Sequence, residues 1–141
     1  LGIDKERDAI TALRASTPTT LLPKLEAFNA PFEDANWGTP DLVISSFALP
    51  LTPKPVFSAV WLKIWTTLKA GGRFAGQLYG VRDTWARNDA QDGLIAFSRA
   101  ECLKLLDAQQ IELFEEEEHP GMTPRGRSKH WHIFHIVARK P

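Results

Sequence analysis

Pro40-Asp-Leu-Val-Ile-Ser-Ser-Phe47 is followed some twenty residues later by Leu68-Lys-Ala-Gly-Gly-Arg-Phe74. Leu42-Val-Ile44 is continuously apolar, the pattern of a strand buried on both faces. Thr52-Pro53 predicts a helix start, with a hydroxyl cap and a proline at the first helical position, where no amide hydrogen is needed. Phe57, Val60, Trp61, Ile64 and Leu68 recur at helical spacing and give that helix one wide apolar face. Gly71-Gly72 ends it, and Arg73 to Tyr79 makes the next strand. Strand, helix, turn and strand in this order form the middle of an open, mainly parallel α/β sheet, in which ligands bind outside the carboxyl ends of the strands.

Working outward, the chain opens on Leu1-Gly-Ile-Asp4, which reads as a strand end with no Gly-rich loop before it. Lys5 to Ala15 is a helix with Ala9, Ile10 and Leu13 on one face, and Thr17-Pro18-Thr19-Thr20 breaks it. Leu25 to Phe28 is a short strand, followed by a loop from Asn29 through Pro40. Further on, Ser98-Arg-Ala-Glu101 fits a capping box, with Phe97 and Cys102 placed for a hydrophobic staple, and starts a helix to about Ala108. Ile111 to Glu118 and His130 to Ala138 are the last strands. Pro120, Gly121, Pro124 and Gly126 fill the short connection between them, which leaves no room for a crossover helix. The pair is therefore expected to be antiparallel.

The bulk properties exclude several classes. At 141 residues the chain suits one domain, and 17 basic against 17 acidic residues give no electrostatic attraction to nucleic acid or an anionic membrane. No apolar run is long enough to span a bilayer. The single cysteine, Cys102, cannot form an internal disulfide and favours a reducing, cytoplasmic compartment.

Leu68-Lys-Ala-Gly-Gly-Arg-Phe74 resembles the Leu-Lys-Pro-Gly-Gly segment after the fourth strand of class I S-adenosylmethionine-dependent methyltransferases, and Asp41-Leu-Val-Ile-Ser-Ser46 resembles that strand. The terminal antiparallel hairpin is that Rossmann-like fold's departure from dehydrogenases. Gly76-Gln-Leu-Tyr-Gly-Val-Arg-Asp-Thr-Trp85 and Lys129-His-Trp-His-Ile-Phe-His-Ile-Val-Ala138 resemble a small-molecule branch, akin to tellurite-resistance and thiopurine-type methyltransferases. The resemblance covers nearly the whole chain and implies methyl transfer from S-adenosylmethionine to a small-molecule acceptor. Two departures stand out: the family's Gly-rich loop after its first strand is not in this chain, and Pro31 stands where an adenine-binding aspartate is usual, leaving Glu33 or Asp34 to substitute. By the resemblance, the 141 residues form one N-terminally incomplete domain that enters the fold at its second strand. The family's first strand lies centrally, between those matched by Leu1–Asp4 and Asp41–Ser46. Without it two rows of backbone groups lack partners, so the chain alone is expected to be inactive, to bind cofactor weakly and to associate with itself. Two rivals are a non-catalytic fragment or degenerate binding domain, and a dinucleotide-dependent oxidoreductase, which a further parallel strand in place of the hairpin would favour.

The resemblance places the ribose hydroxyls of the cofactor on Asp4, with Lys5 along the adenine; the plainer reading of Asp4 is a helix cap. Phe32 and Glu33 are the adenine candidates, against a core phenylalanine and a solvated loop. Ser46 and Phe47 are taken to line the crevice. Tyr79, Asp83 and Trp85 are substrate-pocket candidates just past the fifth strand. His130 and His132, which share one face of a strand, are set beneath the pocket with Trp131 packing on the opposite face. His119 or Glu117 could complete a metal site with them, but no cysteine pair or helical His-Glu motif supports one, and no metal is expected. No residue qualifies as a catalytic base, as befits a reaction that proceeds largely by alignment.

Overall fold

The computed structural model describes residues 1–87 and 94–141, and the chain forms two compact units, Leu1–Gly38 and Thr39–Pro141. In the first, strand β1 (Gly2–Asp4) leads into helix α1 (Arg7–Ser16) and pairs in parallel with β2 (Ala27–Asn29), Asp4 opposite Asn29. Ile10 is buried from α1. The second strand begins two residues later than the sequence suggests, because Leu22–Lys24 around Pro23 turns as a 3-10 helix and Leu25 caps it.

The second unit is built on β3 (Leu42–Ser45), α2 (Lys54–Thr67), β4 (Arg73–Gly80), α3 (Thr84–Arg87), β5 (Ala96–Phe97), α4 (Arg99–Leu105), β6 (Gln110–Met122) and β7 (Ser128–Arg139). Its sheet runs β3-β4-β7-β6, with β5 paired to the end of β4. β3 and β5 are parallel to β4, whereas β7 is antiparallel to both β4 and β6. The mixed α/β architecture closed by an antiparallel hairpin is the expected one. The hairpin strands run longer than the sequence suggests, since Pro120 and Gly121 stay in the ladder opposite His130 and Lys129. Pro120 has no N–H to donate, and β6 at the sheet edge has one unpaired side on which that costs nothing.

The predicted apolar face of α2 is buried through Phe57, Val60, Trp61 and Ile64, and Leu68 beyond its end is also buried. Trp61 and Trp65 meet Phe74 of β4 edge-on, and the Trp61 Nε1–H donates to the Leu105 carbonyl at the end of α4. The start of α2 differs from the sequence reading. Pro53 is its cap residue, Thr52 closes a preceding 3-10 turn, and the buried Thr52 hydroxyl has no hydrogen-bond partner among the described residues. Gly71, at φ 75°, makes the turn into β4 that a side chain would strain. The capping box of α4 forms as read: Ser98 Oγ accepts from the Glu101 N–H, and the Glu101 carboxylate accepts from the Ser98 N–H at 2.7 Å.

The environment of β3 departs from the sequence reading. Leu42 and Ile44 are 51% and 69% exposed, so the strand is not buried on both faces. Among the described residues β3 pairs with β4 alone, and β1 with β2 alone, so each leaves one edge without a strand partner.

Candidate functional site

In the first unit, the carboxyl ends of β1 and β2 carry Asp4, Lys5 and the turn that holds Phe32 and Glu33. Asp4 Oδ1 accepts the Glu6 N–H at 2.8 Å, so the carboxylate does serve the start of α1. The Asn29 side-chain amide donates to the Asp4 and Lys5 carbonyls at 3.1 and 2.7 Å, which ties the two strand ends together. The turn closes through N–H groups of Asp34 and Ala35 on the Pro31 carbonyl. A carboxylate has about four acceptor positions, and one hydrogen bond leaves Asp4 capacity for a vicinal diol.

In the second unit, the carboxyl end of β3 carries Ser46 and Phe47. Ser45 is buried and its hydroxyl accepts the Leu49 N–H, which turns the chain sharply after the strand. Phe47 sits at φ 54°, the only non-glycine residue with positive φ among those described. Such a conformation costs about 1–3 kcal/mol in a bulky residue and persists where surrounding packing fixes it. Here the packing is aromatic: the Phe47 ring lies 5.7 Å from Tyr79 and 6.3 Å from Trp131. Trp85 closes the group at 5.8 Å from Tyr79 and 5.9 Å from Trp131.

Beneath these rings lies Lys129, whose side chain and that of Asp83 are completely buried. Lys129 Nζ donates to Asp83 Oδ2 at 2.6 Å. It also stands 3.6, 4.1 and 4.6 Å from the ring centres of Trp131, Trp85 and Tyr79, a cation held against three π faces. Burial pulls the Lys129 pKa below the usual lysine value, and the Asp83 carboxylate opposes that pull. Burial, and secondarily Asp83, push the Tyr79 hydroxyl above its usual value, so it stays protonated at neutral pH. Asp83 also accepts the Trp85 N–H on Oδ1 and the His132 N–H on Oδ2, anchoring the segment after β4 to β7.

The structure therefore gathers Phe47, Tyr79, Asp83 and Trp85, and adds Lys129 and Trp131. It sets the histidines elsewhere. Alternation along β7 puts Lys129, Trp131 and Ile133 on the aromatic side and His130, His132 and Phe134 on the other, which reverses the expected assignment of faces. His132 is buried against Phe134, its Nδ1 accepts the Arg82 N–H, and its Nε2 contacts Glu116 at 2.9 Å. Nδ1 as acceptor makes Nε2 the protonated nitrogen of the neutral ring. Gly80 is what admits this ring: a Cβ there would lie 1.9 Å from Nδ1. His130 Nε2 meets Glu118 at 2.8 Å, whereas Glu117 is taken by His119 and His135. Each histidine ring is thus matched to a carboxylate of the acidic run. Among the described residues no group of three or more His, Cys, Asp or Glu side chains is placed to hold a metal ion.

Lys129 escaped the sequence reading because an isolated lysine at a strand start is ordinarily exposed, and its partner lies 46 positions away. The alternation of Lys129 with Trp131 and Ile133 was the available signal.

No protein-family model and no curated protein matches the chain. Solved structures do. A SAM-dependent methyltransferase from Methanosarcina mazei aligns over 99% of this chain and 80% of its own, with TM-score 0.71 at 19% identity. TehB from Haemophilus influenzae aligns over 99% of this chain and 49% of its own, with TM-score 0.76 at 12% identity. The N-methyltransferase NodS from Bradyrhizobium japonicum WM9, in complex with S-adenosyl-L-homocysteine, aligns over 99% and 65%, with TM-score 0.65 at 14% identity. Identities this low speak for the fold alone: the chain has the fold of the class I, S-adenosylmethionine-dependent methyltransferases.

Proposed function

We propose that the protein is a methyltransferase that uses S-adenosylmethionine and a small-molecule acceptor. The observation that carries this reading is the fold match over almost the whole chain to enzymes of that activity, one with the demethylated cofactor bound. The antiparallel β6–β7 hairpin further favours it over a dinucleotide-dependent oxidoreductase, for which a parallel strand was the expectation.

The cofactor supplies an electrophilic sulfonium methyl. Asp4 would accept hydrogen bonds from its ribose hydroxyls, Lys5 would lie along the adenine, and Phe32 and Glu33 would meet the adenine through a backbone N–H and a carboxylate. Ser46 and Phe47, at the carboxyl end of β3, would line the crevice. Tyr79, Trp85 and Trp131 would form an aromatic wall for the acceptor, held by the Asp83–Lys129 pair. His130 and His132 would act behind this wall, as supports of the segment after β4 rather than as contacts. Aligning a nucleophile with the methyl group is enough for large rate gains, so the wall need not contain a base.

Calorimetric titration of S-adenosylmethionine into the product of the gene's complete reading frame tests the reading. Asp4→Ala should weaken binding by about 1–3 kcal/mol through loss of charge-assisted hydrogen bonds. Equal affinities would leave Asp4 as a helix cap alone. Self-association through the open edges of β1 and β3 is also part of the proposal. A monomer by light scattering would contradict this part. Among the described residues no helix is long and apolar enough to cross a membrane. A cytoplasmic location, suggested by the one unpaired cysteine, is part of the proposal.

A further inference from the structure

Lys129 is a buried charge for which methyl transfer has no evident use. Its Nζ stands against the faces of Trp131, Trp85 and Tyr79, and its carboxylate partner Asp83 makes its remaining contacts with backbone N–H groups of Trp85 and His132. The ion pair is neutral as a whole, but it is oriented, with the positive end toward the rings. An aromatic ring is negative on its face and positive at its edge. Lys129 therefore engages one face of each of Trp131, Trp85 and Tyr79, and the half-buried rings of Phe47, Trp85 and Trp131 keep exposed surface close to that ammonium.

We propose that Lys129 sets the charge preference of this aromatic wall, so that it receives an uncharged or anionic acceptor and turns away a cationic one. The residue does not touch the acceptor; it acts through the three rings as a positioning and specificity residue. A cationic amine would meet rings whose electron density Lys129 already draws toward its own side, and would bear the repulsion of that ammonium. An anion or a neutral molecule meets ring edges and faces whose electron density Lys129 has drawn inward. The assignment of the wall to the acceptor rests on the methyltransferase reading, whereas the charge preference rests on the Lys129 geometry alone.

Two probes of the same ring and opposite charge, 2-naphthoate and 2-naphthylmethylammonium, test it on the full chain. Binding is followed by the indole N–H resonances of Trp85 and Trp131, assigned with Trp85→Phe and Trp131→Phe. The wild-type protein should bind the carboxylate at least fivefold more tightly. Lys129→Met combined with Asp83→Asn, which removes both charges and keeps similar side-chain volumes, should bring the two affinities within twofold. A variant that merely loosened the wall would weaken both probes and keep their ratio. Equal or reversed affinities in the wild type, a ratio unchanged in the double variant, or no shift of either indole at millimolar probe would each overturn the proposal. Cofactor titration reads the methyltransferase assignment separately.

Discussion

Removing the Lys129 ammonium while leaving Asp83 in place should be one of the most damaging single changes in the protein. Lys129→Met keeps most of the side chain's length and an apolar end near the rings but strands a carboxylate with no solvent exposure. Breaking one side of such a pair costs about 3–5 kcal/mol, most of it the uncompensated charge rather than the lost attraction. Unfolding entropy of about 2.1 cal/mol/K per residue gives ~0.3 kcal/mol/K for a chain this long. The melting temperature should then fall by roughly 10–17 °C. Lys129→Met with Asp83→Asn should recover part of this, because the single amide oxygen can still accept either the Trp85 or the His132 N–H, which now use different carboxylate oxygens, at lower desolvation cost. A double-mutant cycle by urea unfolding with calorimetric melts measures both, and should return a coupling of at least ~2 kcal/mol. A single-variant cost below ~1 kcal/mol with additive behaviour would show that the pair is solvated and that the site has been misread.

Three further outcomes follow from the geometry. Gly80→Ala forces a methyl group into the His132 ring and should destabilise by about 1–3 kcal/mol or more, read by urea unfolding, with the Arg82 amide losing hydrogen-exchange protection. Arg82 first and His130 second depress the Glu118 carboxyl from its ordinary 4.5 to about 2. Its stabilising contribution is thus complete above pH 4.5 and lost as pH falls toward 2, so Glu118→Gln should flatten the stability–pH curve in that window. Cys102 is fully buried and its thiol is pushed up to about 12, chiefly by that burial, so at pH 8 it should react with Ellman's reagent only at the rate of unfolding.

The parts of the fold set by local pattern were legible in the sequence. The spacing of Phe57, Val60, Trp61 and Ile64 identifies the buried face of α2, Ser98-x-x-Glu101 identifies the start of α4, and the short connection identifies the antiparallel hairpin. What failed depends on neighbours remote in sequence. Leu42 and Ile44 read as buried because an apolar run reports a strand's character, while coverage depends on what packs over it. Thr52 has the right chemistry for a cap but lies one residue too early, since the Leu49–Leu51 turn takes its backbone first. At the candidate site, Tyr79, Asp83 and Trp85 follow a recognisable strand end, and the structure brings the three together. The buried Lys129 and the reversal of the histidine face depend on which side of β7 meets β4, and period-two alternation gives two faces without saying which is which.

Dependence on S-adenosylmethionine is read by titrating S-adenosyl-L-homocysteine into the full-length protein and following heat. Saturable binding of one cofactor per chain, weakened by Asp4→Ala, is expected, with no comparable binding of a nicotinamide dinucleotide. Absence of binding at millimolar S-adenosyl-L-homocysteine, or preferential binding of the dinucleotide, would contradict it.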